Sequence, residues 1–321
     1  MRGAGDAPTC SVVVLTFNSA GTLEACLASV RPQADALGGD VLVVDNASDD
    51  GSVAVARRAG VEVVRAGANL GFAAGCNLGA QHARGQLLVF VNPDARLDDG
   101  CLRALVAAAD ADPTRGPLGA RARHDDGAYD PRCSLARPTL AGALAFAVGF
   151  DTLLRALTSR DPEHGPLEVP ADGAVRDVPA LSGALLMVPR PLWELLGGFD
   201  ERYFLYGEDV DLCVRAARRG ARPVLVTGAG YRHVGGISAD GGGWRRTLLY
   251  RGKAQLYRDH LPPRAARFAV LSLQVGALAR GLPSRLPLGR LAARAAPWWR
   301  LYRDRRTWRD GHESREHEAR R

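Results

Sequence analysis

Three carboxylates, Glu208, Asp209 and Asp211, stand within four residues, directly after the run Phe204, Leu205, Tyr206 and Gly207. Behind them Val210, Val214 and Ala217 recur at the i, i+4 and i+7 spacing of a helix, and Gly220 stands where such a helix stops. The acids therefore fall in a first helical turn. Two readings compete for them. Acids favour a helix N-terminus through the macrodipole, and Asp211 has Arg215 four residues on as an ion-pair partner. Apolar neighbours, by contrast, raise a carboxylate pKa and make the group a usable general base. The first reading covers Asp211. It leaves the adjacent pair Glu208 and Asp209 as the candidates for chemistry.

Such a pair needs a scaffold, and the first hundred residues spell one. Residues 11–16 (SVVVLT) and 40–45 (DVLVVD) are apolar runs rich in β-branched residues, the pattern of strands buried on both faces, and 61–65 and 86–91 read as a third and a fourth strand. Helical stretches at 22–30, 52–59, 74–84 and 102–109 alternate with them, which predicts a doubly wound, mainly parallel α/β sheet. Ligands of such sheets bind beyond the carboxyl ends of the strands. Those ends carry Thr16 with Asn18, Asp45 with Asn46, Asn69 with Gly71, and Asn92 with Asp94. Neither a GxGxxG nor a GxxxxGK[ST] follows the first strand, so ordinary dinucleotide and P-loop sites are disfavoured. Residues 110–179 read as irregular, with a turn or hairpin at 125–131. Buried strands are expected at 180–188 and 222–227, and a short helix at 191–196.

The 321 residues, 46% hydrophobic and 24% charged, are those of an ordinary globular protein with ample material for a core. Six scattered cysteines form no CxxC pair and no Cys/His cluster, which fits a reduced, cytosolic protein without a zinc site. The N-terminus has no apolar signal region, and the longest apolar runs, at 139–150 and 268–279, fall short of the ~20 residues that span a bilayer. The net charge of +7 is almost wholly arginine, because Lys253 is the single lysine. It concentrates from Arg264 onward, where Phe268, Leu271, Val275 and Leu278 lie at helical spacing and Trp298, Trp299, Tyr302 and Trp308 interleave with arginines. Basic, Trp-bearing amphipathic helices suit an anionic membrane interface; packing on the protein's own domain, with a solvated basic face, is the alternative. No nucleic-acid-binding module accompanies the charge.

The stretches SVVVLTFNSAGTLEACLASV, VLVVDNASDDGS, NLGFAAGCNLGAQHARGQLLVFVNPDA, LSGALLMVPRPLWELLGGFDERYFLYGEDVDLCVRAARRG and HVGGIS together resemble the inverting glycosyltransferases of family 2. NPD, the Glu-Asp region and ARARHDDGAYDPRCSLARPTL are most similar to its rhamnosyltransferase branch. The resemblance implies a GT-A fold, Rossmann-like, with residues 1–110 as the nucleotide-sugar half, 111–262 as the acceptor half and 263–321 as a basic helical tail. It implies that Asp209 is the general base with Glu208 beside it. Asp45 reads the base or ribose, joined by Thr16, Asn18, Asn69, Gly71 and Asn77; Asp49 serves either there or as a loop cap. Asp94 matches the last acid of the DxD motif, and Asn92 stands where the first usually is. Asp94 and His233 would hold Mg2+ or Mn2+, and Arg232 and Ser238 would contact the diphosphate.

The activity so implied is transfer of a sugar, L-rhamnose from dTDP-L-rhamnose or a sugar from a UDP donor, to a polyprenyl-diphosphate-linked or polysaccharide acceptor in cell-envelope synthesis. The expected setting is cytoplasmic and peripheral at the inner face of the cell membrane, with an anionic membrane surface as partner, no nucleic acid, and a homodimer left open. Two rivals remain: within enzymes a nucleotidyltransferase on the same sheet, and from another class a non-catalytic sugar-nucleotide or membrane-binding module.

Overall fold

The computed structural model describes residues 8–151, 157, 160–161, 165–166, 169–233, 243–287 and 289–311. Among them the main sheet has nine strands. β1 (Cys10–Thr16), β2 (Asp40–Asp45), β3 (Glu62–Arg65) and β4 (Leu87–Val91) run parallel in the spatial order β4-β1-β2-β3. β1 and β4 are buried along their whole length, which is why they read as unbroken apolar runs rather than alternating ones. Helices α1 (Ala20–Ala36), α2 (Ser52–Arg58) and α3 (Gly71–His82) make the crossovers. α3 lies close because Gly79 has no side chain: a Cβ there would come 2.3 Å from Val13 and 2.9 Å from Val44.

The second half of the sheet is mixed. After β5 (Ala95–Leu97) and α4 (Cys101–Ala111) come β6 (Arg115–Arg123), β7 (Val175–Asp177), β8 (Leu185–Pro189) and β9 (Arg222–His233). β8 is antiparallel to both β4 and β6, β9 is parallel to β6, and β5 and β7 pair antiparallel with β9. β6 is a strand where the sequence reads as irregular. Its RGPLGARAR puts Leu118, Ala120 and Ala122 in the core and leaves arginines at its ends. The strand expected at 180–188 is two, Ala180–Leu181 and β8, broken at Ser182 and Gly183; the first piece pairs with Ser134–Leu135 off the main sheet. β9 runs six residues past the expected end at Thr227 and delivers His233.

Of the remaining helices, α5 (Leu140–Ala147) belongs to a second compact unit, whereas α6 (Arg190–Leu196) and α7 (Glu208–Arg218) pack against the sheet. Phe90, Trp193 and Phe199 stack beneath the turn that joins α6 to the stretch before α7, with ring centroids 4.7 to 5.3 Å apart.

The sheet unit comprises residues 1–135, 167–201 and 208–235; the helical unit comprises 136–166, 202–207 and 236–321. In the helical unit α5, α8 (Gly243–His260), α9 (Pro263–Gly281) and α10 (Arg290–Arg303) share one core, in which Phe146, Tyr250, Leu273, Leu301 and Trp308 are buried. The boundary expected at residue 263 therefore falls inside a packed bundle, because the stretch beyond it supplies core side chains to helices before it. Trp308 is enclosed and donates Nε1–H to the Leu301 carbonyl at 2.9 Å, and Trp298 packs on Phe146 and Tyr250. These tryptophans follow the alternative reading, packing on their own unit. No helix among the described residues is long and apolar enough to cross a membrane.

Candidate active site

The parallel strands bring Thr16, Asp45 and the Asn92-Pro93-Asp94 turn to one edge of the sheet unit. Thr16 and Asp45 are register partners at the carboxyl ends of β1 and β2, both fully buried. Asp45 Oδ1 accepts from the Ser48 amide at 3.1 Å, and Arg65 Nε lies 3.7 Å from Oδ2. Among the described residues Thr16 Oγ1 and Asp45 Oδ2 have no hydrogen-bond partner, and Asp45 Oδ2 has only the longer Arg65 ion pair. A buried polar atom without a hydrogen bond costs about 1–3 kcal/mol, so two at one edge mark a place where a polar ligand would be held.

The loops around them are knitted by the other candidate residues. Asn18 Oδ1 accepts from the Asp49 amide at 2.9 Å, and the Asn18 amide donates to Ser48 Oγ at 3.0 Å. The capping role considered for Asp49 falls to Asp50, which accepts from the Ala20 and Ser52 amides at 2.9 Å and is held below the usual carboxylate range by the Ser52 hydroxyl and these amides. Asn69 Oδ1 accepts from Asn46 Nδ2 and from the Gly71 amide, while the Gly71 carbonyl accepts from Asn46 Nδ2. Asn46, not singled out individually by sequence, is the hub of that turn. Asn77 spends its amide group on another task. Its Nδ2 donates to the Phe199 carbonyl and to Glu201, both at 2.9 Å, and its Oδ1 accepts from the Phe199 amide. Asn77 thus pins the Gly-Gly-Phe-Asp turn.

A continuous path of bonds links the two ends of the site. Asp209 Oδ2 accepts from the Gly183 amide at 2.9 Å, and Oδ1 from the Val210 amide at 2.8 Å. The next residue, Ala184, accepts through its carbonyl from the Asn92 amide at 3.0 Å. Two residues on from Asn92, Asp94 Oδ1 lies 3.3 Å from His233 Nε2. His233 arrives there because β9 pairs with β5, placing it opposite Ala95. Burial raises the Asp209 pKa, and the amides of Gly183, Val210 and Asp209 itself offset that only in part. The carboxylate is oriented at both oxygens yet poorly solvated, the state that suits a proton acceptor.

Glu208 is buried, and its charge adds to desolvation in pushing the Cys76 thiol well up. Asp211 is bonded to Arg215 Nε at 2.7 Å, as expected, and Arg215 also donates to the carbonyls of Leu196 and Gly198. Asp211 is therefore part of a brace between α7 and the turn after α6. Arg232 lies on β9; Ser238 lies outside the described residues.

Asp94 and His233 could hold a divalent cation. No group of three or more His, Cys, Asp or Glu side chains with such geometry occurs among the described residues. A pair of protein ligands fits a hard cation that completes its shell with substrate phosphate oxygens and water. Burial and the Asp94 charge push the Cys26 thiol up to about 12, which places Asp94 in a poorly screened setting.

The aromatic run before Glu208 belongs to the helical unit and is anchored within it. Asp259 on α8 accepts from Arg202, from the Tyr203 hydroxyl at 2.9 Å and from Gln255 Nε2. Tyr206 has φ +73°, and a Cβ on Gly252 would lie 2.1 Å from the Tyr206 carbonyl oxygen. Neither Asp259 nor Gly183 carries a sequence signal. Asp259 pairs across 57 residues, and Gly183 acts through its backbone.

The family described as Glycosyl transferase family 2 matches residues 11–147. N-acetylglucosaminyl-diphospho-decaprenol L-rhamnosyltransferase of Mycobacterium tuberculosis is 33% identical over 241 residues, covering 69% of this chain and 75% of that protein. Among solved structures, the mannosyltransferase PcManGT of Pyrobaculum calidifontis, in complex with GDP-Man and Mn2+, is similar with a TM-score of 0.56 at 22% identity, over 95% of this chain and 84% of that one. Glucosyl-3-phosphoglycerate synthase of Mycobacterium tuberculosis, with Mn2+, UDP and phosphoglyceric acid, is similar with a TM-score of 0.51 at 18% identity, over 75% of this chain and 76% of that one. At these identities the structural likeness is one of fold.

Proposed function

The chain belongs to glycosyl transferase family 2 and is a glycosyltransferase of GT-A fold, and from that premise we propose that it transfers L-rhamnose from dTDP-L-rhamnose, with inversion, to a polyprenyl-diphosphate-linked sugar. The observation that carries this reading is the bonded path from Asp209 through Gly183, Ala184 and Asn92 to Asp94 and His233. It supports a reading in which a desolvated carboxylate works with the strand ends that would take a phosphate-bearing donor. Thr16 and Asp45 take the nucleoside end, where Thr16 Oγ1 and Asp45 Oδ2, which lack hydrogen bonds among the described residues, meet donors of the base or ribose. Asp209 takes the proton from the acceptor hydroxyl as its oxygen attacks the anomeric carbon and the nucleoside diphosphate leaves from the opposite face. Asp94 and His233 would hold Mg2+ or Mn2+, and the bound ion would supply positive charge to the departing diphosphate. Asn92 adds no charge there and leaves that task to Asp94.

The rhamnosyl group and the lipid-linked acceptor rest on the relative from Mycobacterium tuberculosis, whose name states both, and the dTDP carrier is part of the proposal. An acceptor of that kind implies work in cell-envelope synthesis at the inner face of the cell membrane, with the protein bound peripherally. The test is a panel of nucleotide sugars, each with and without Mg2+ or Mn2+, read by thermal stabilisation and then by release of free nucleoside diphosphate in the presence of a polyprenyl-diphosphate-linked sugar. The expected result is metal-dependent stabilisation and dTDP release with dTDP-L-rhamnose. Preference for another donor overturns the rhamnose assignment, and stabilisation by nucleotide sugars with no turnover on any acceptor overturns the transferase reading.

A further inference from the structure

Twelve of the fourteen exposed large apolar side chains among the described residues lie in the helical unit, although it is the smaller of the two. α9 carries the core of this excess, with large apolar side chains on its outer face as well as its inner one. The side chains it buries are mostly small, Ala266, Ala269, Ser272, Gly276 and Ala277, with Val270 and Leu273 the larger ones. Other large ones face outward, Phe268 at 62% exposure, Leu271 at 52% and Val275 at 46%, on one helical stripe that Leu282 continues. The apolar periodicity seen in the sequence is thus real, but it marks the outer face. A helix stable in water has the opposite arrangement.

The neighbouring helix shares the feature. α5 meets α9 where Phe146 lies over Gly276; Arg280 donates to the Phe146 carbonyl at 2.6 Å and pairs with Asp151 at 2.7 Å. Close in sequence to that seam, α5 and its end expose Leu144, Val148 and Phe150. Arginines bracket the stripe, Arg264 and Arg267 before it and Arg285 and Arg290 after it. From Arg264 to Arg303 the chain contains no acidic residue.

We propose that this face of α9 and α5 seats in the surface of an anionic phospholipid bilayer, with Phe268, Leu271 and Val275 among the acyl chains and the bracketing arginines at the phosphates. The charge argues for this occupant over others. A second copy placed symmetrically on the same face would set arginine against arginine, and a nucleic acid has no use for an apolar stripe. A bilayer offers both an apolar interior and an anionic rim. The contact runs along α9 and α5, while the tryptophan-rich α10 serves the bundle core through Trp298 and Leu301. The inference rests on the lipid-linked acceptor only for its purpose, because plain vesicles test it without any sugar transfer.

The experiment is flotation of the full chain with phosphatidylcholine vesicles, either neutral or containing about a third phosphatidylglycerol. The expected result is binding to the anionic vesicles, lowered at least tenfold, about 1.4 kcal/mol, in the double variant Leu271→Gln/Val275→Gln. Leu195→Gln, at an exposed apolar position on α6 of the sheet unit, leaves it unchanged. Arg264→Gln/Arg267→Gln reduces the preference for anionic over neutral vesicles. Unchanged vesicle binding in a Leu271→Gln/Val275→Gln protein that melts as wild type overturns the proposal. So does a concentration-dependent dimer of the wild type that this variant abolishes, since the face would then be covered by a second copy. If the transferase reading fails, vesicle binding persists; if the face is wrong, transfer to a soluble acceptor persists.

Discussion

Replacing Asp209 by asparagine separates the chemistry of this site from its architecture. The carboxylate accepts two backbone amides, one at each oxygen. An asparagine keeps one acceptor and turns an NH2 toward the other amide, so one charge-assisted bond is lost at about 1.5–3 kcal/mol. Relief of the desolvation that raises the Asp209 pKa works against that loss, and the net change in stability is therefore below about 3 kcal/mol. A domain with about 5–15 kcal/mol to spare stays folded. Loss of a general base costs transfer about 10²–10⁴-fold, equivalent to about 3–5.5 kcal/mol of barrier, and the stability change alone cannot produce it. Wild-type transfer should rise with pH through the raised Asp209 pKa and level off above it, since only the ionised carboxylate accepts a proton. The Asn variant should lose that acid limb while binding the donor as wild type does. Stability runs the other way. The protonated form is favoured in the folded state, so this group's contribution is complete below the unfolded pKa and is lost as pH rises through the folded one. The assay is initial-rate transfer across pH, with donor binding and Tm on both proteins. Normal transfer by Asp209→Asn, or an acid limb that survives in it, refutes the assignment; loss on Glu208→Gln with Asp209→Asn active moves the base by one residue.

His233→Ala should raise the Mn2+ concentration needed for half-maximal donor stabilisation about 10- to 100-fold, as removal of one of two protein ligands implies, with apo Tm nearly unchanged; an unaltered metal titration would take His233 out of the set. Gly252→Ala places a methyl 2.1 Å from the Tyr206 carbonyl and should cost about 1–3 kcal/mol, read as a Tm lower by several degrees, with a raised KM for acceptor; equal Tm and KM would show that the loop before Glu208 yields freely.

What sequence reading reached depended on where each residue's role is written. β1 and β2 are legible because burial on both faces leaves an unbroken β-branched run, and their ends then place Thr16 and Asp45. β6 is hidden, since its core face is built of Leu118 and small alanines between arginines, so no period stands out. The pairing of Asp211 with Arg215 is local and could be read from spacing. Asp94 and His233 meet only because β9 crosses beside β5, so no spacing rule finds them and only the resemblance joined them. Gly183 orients Asp209 through a backbone amide, which any residue type possesses. On α9 the period of the apolar stripe was visible, whereas its direction was not, because the small residues that pack inward leave a weaker imprint than Phe268 and Leu271.

The division of the chain into 1–135, 167–201 and 208–235 against 136–166, 202–207 and 236–321 has a consequence for engineering. Neither unit is a cassette. Exchanging the helical part between relatives to retarget acceptor choice requires three segments to move together, including the six residues that Asp259 and Gly252 anchor just before Glu208. A C-terminal truncation at residue 263 would strip Leu273, Leu301 and Trp308 from the core that α5 and α8 complete, leaving a fragment with an exposed apolar scar. Recombination within this family should therefore tolerate crossovers inside the first hundred residues and punish single crossovers in the second half.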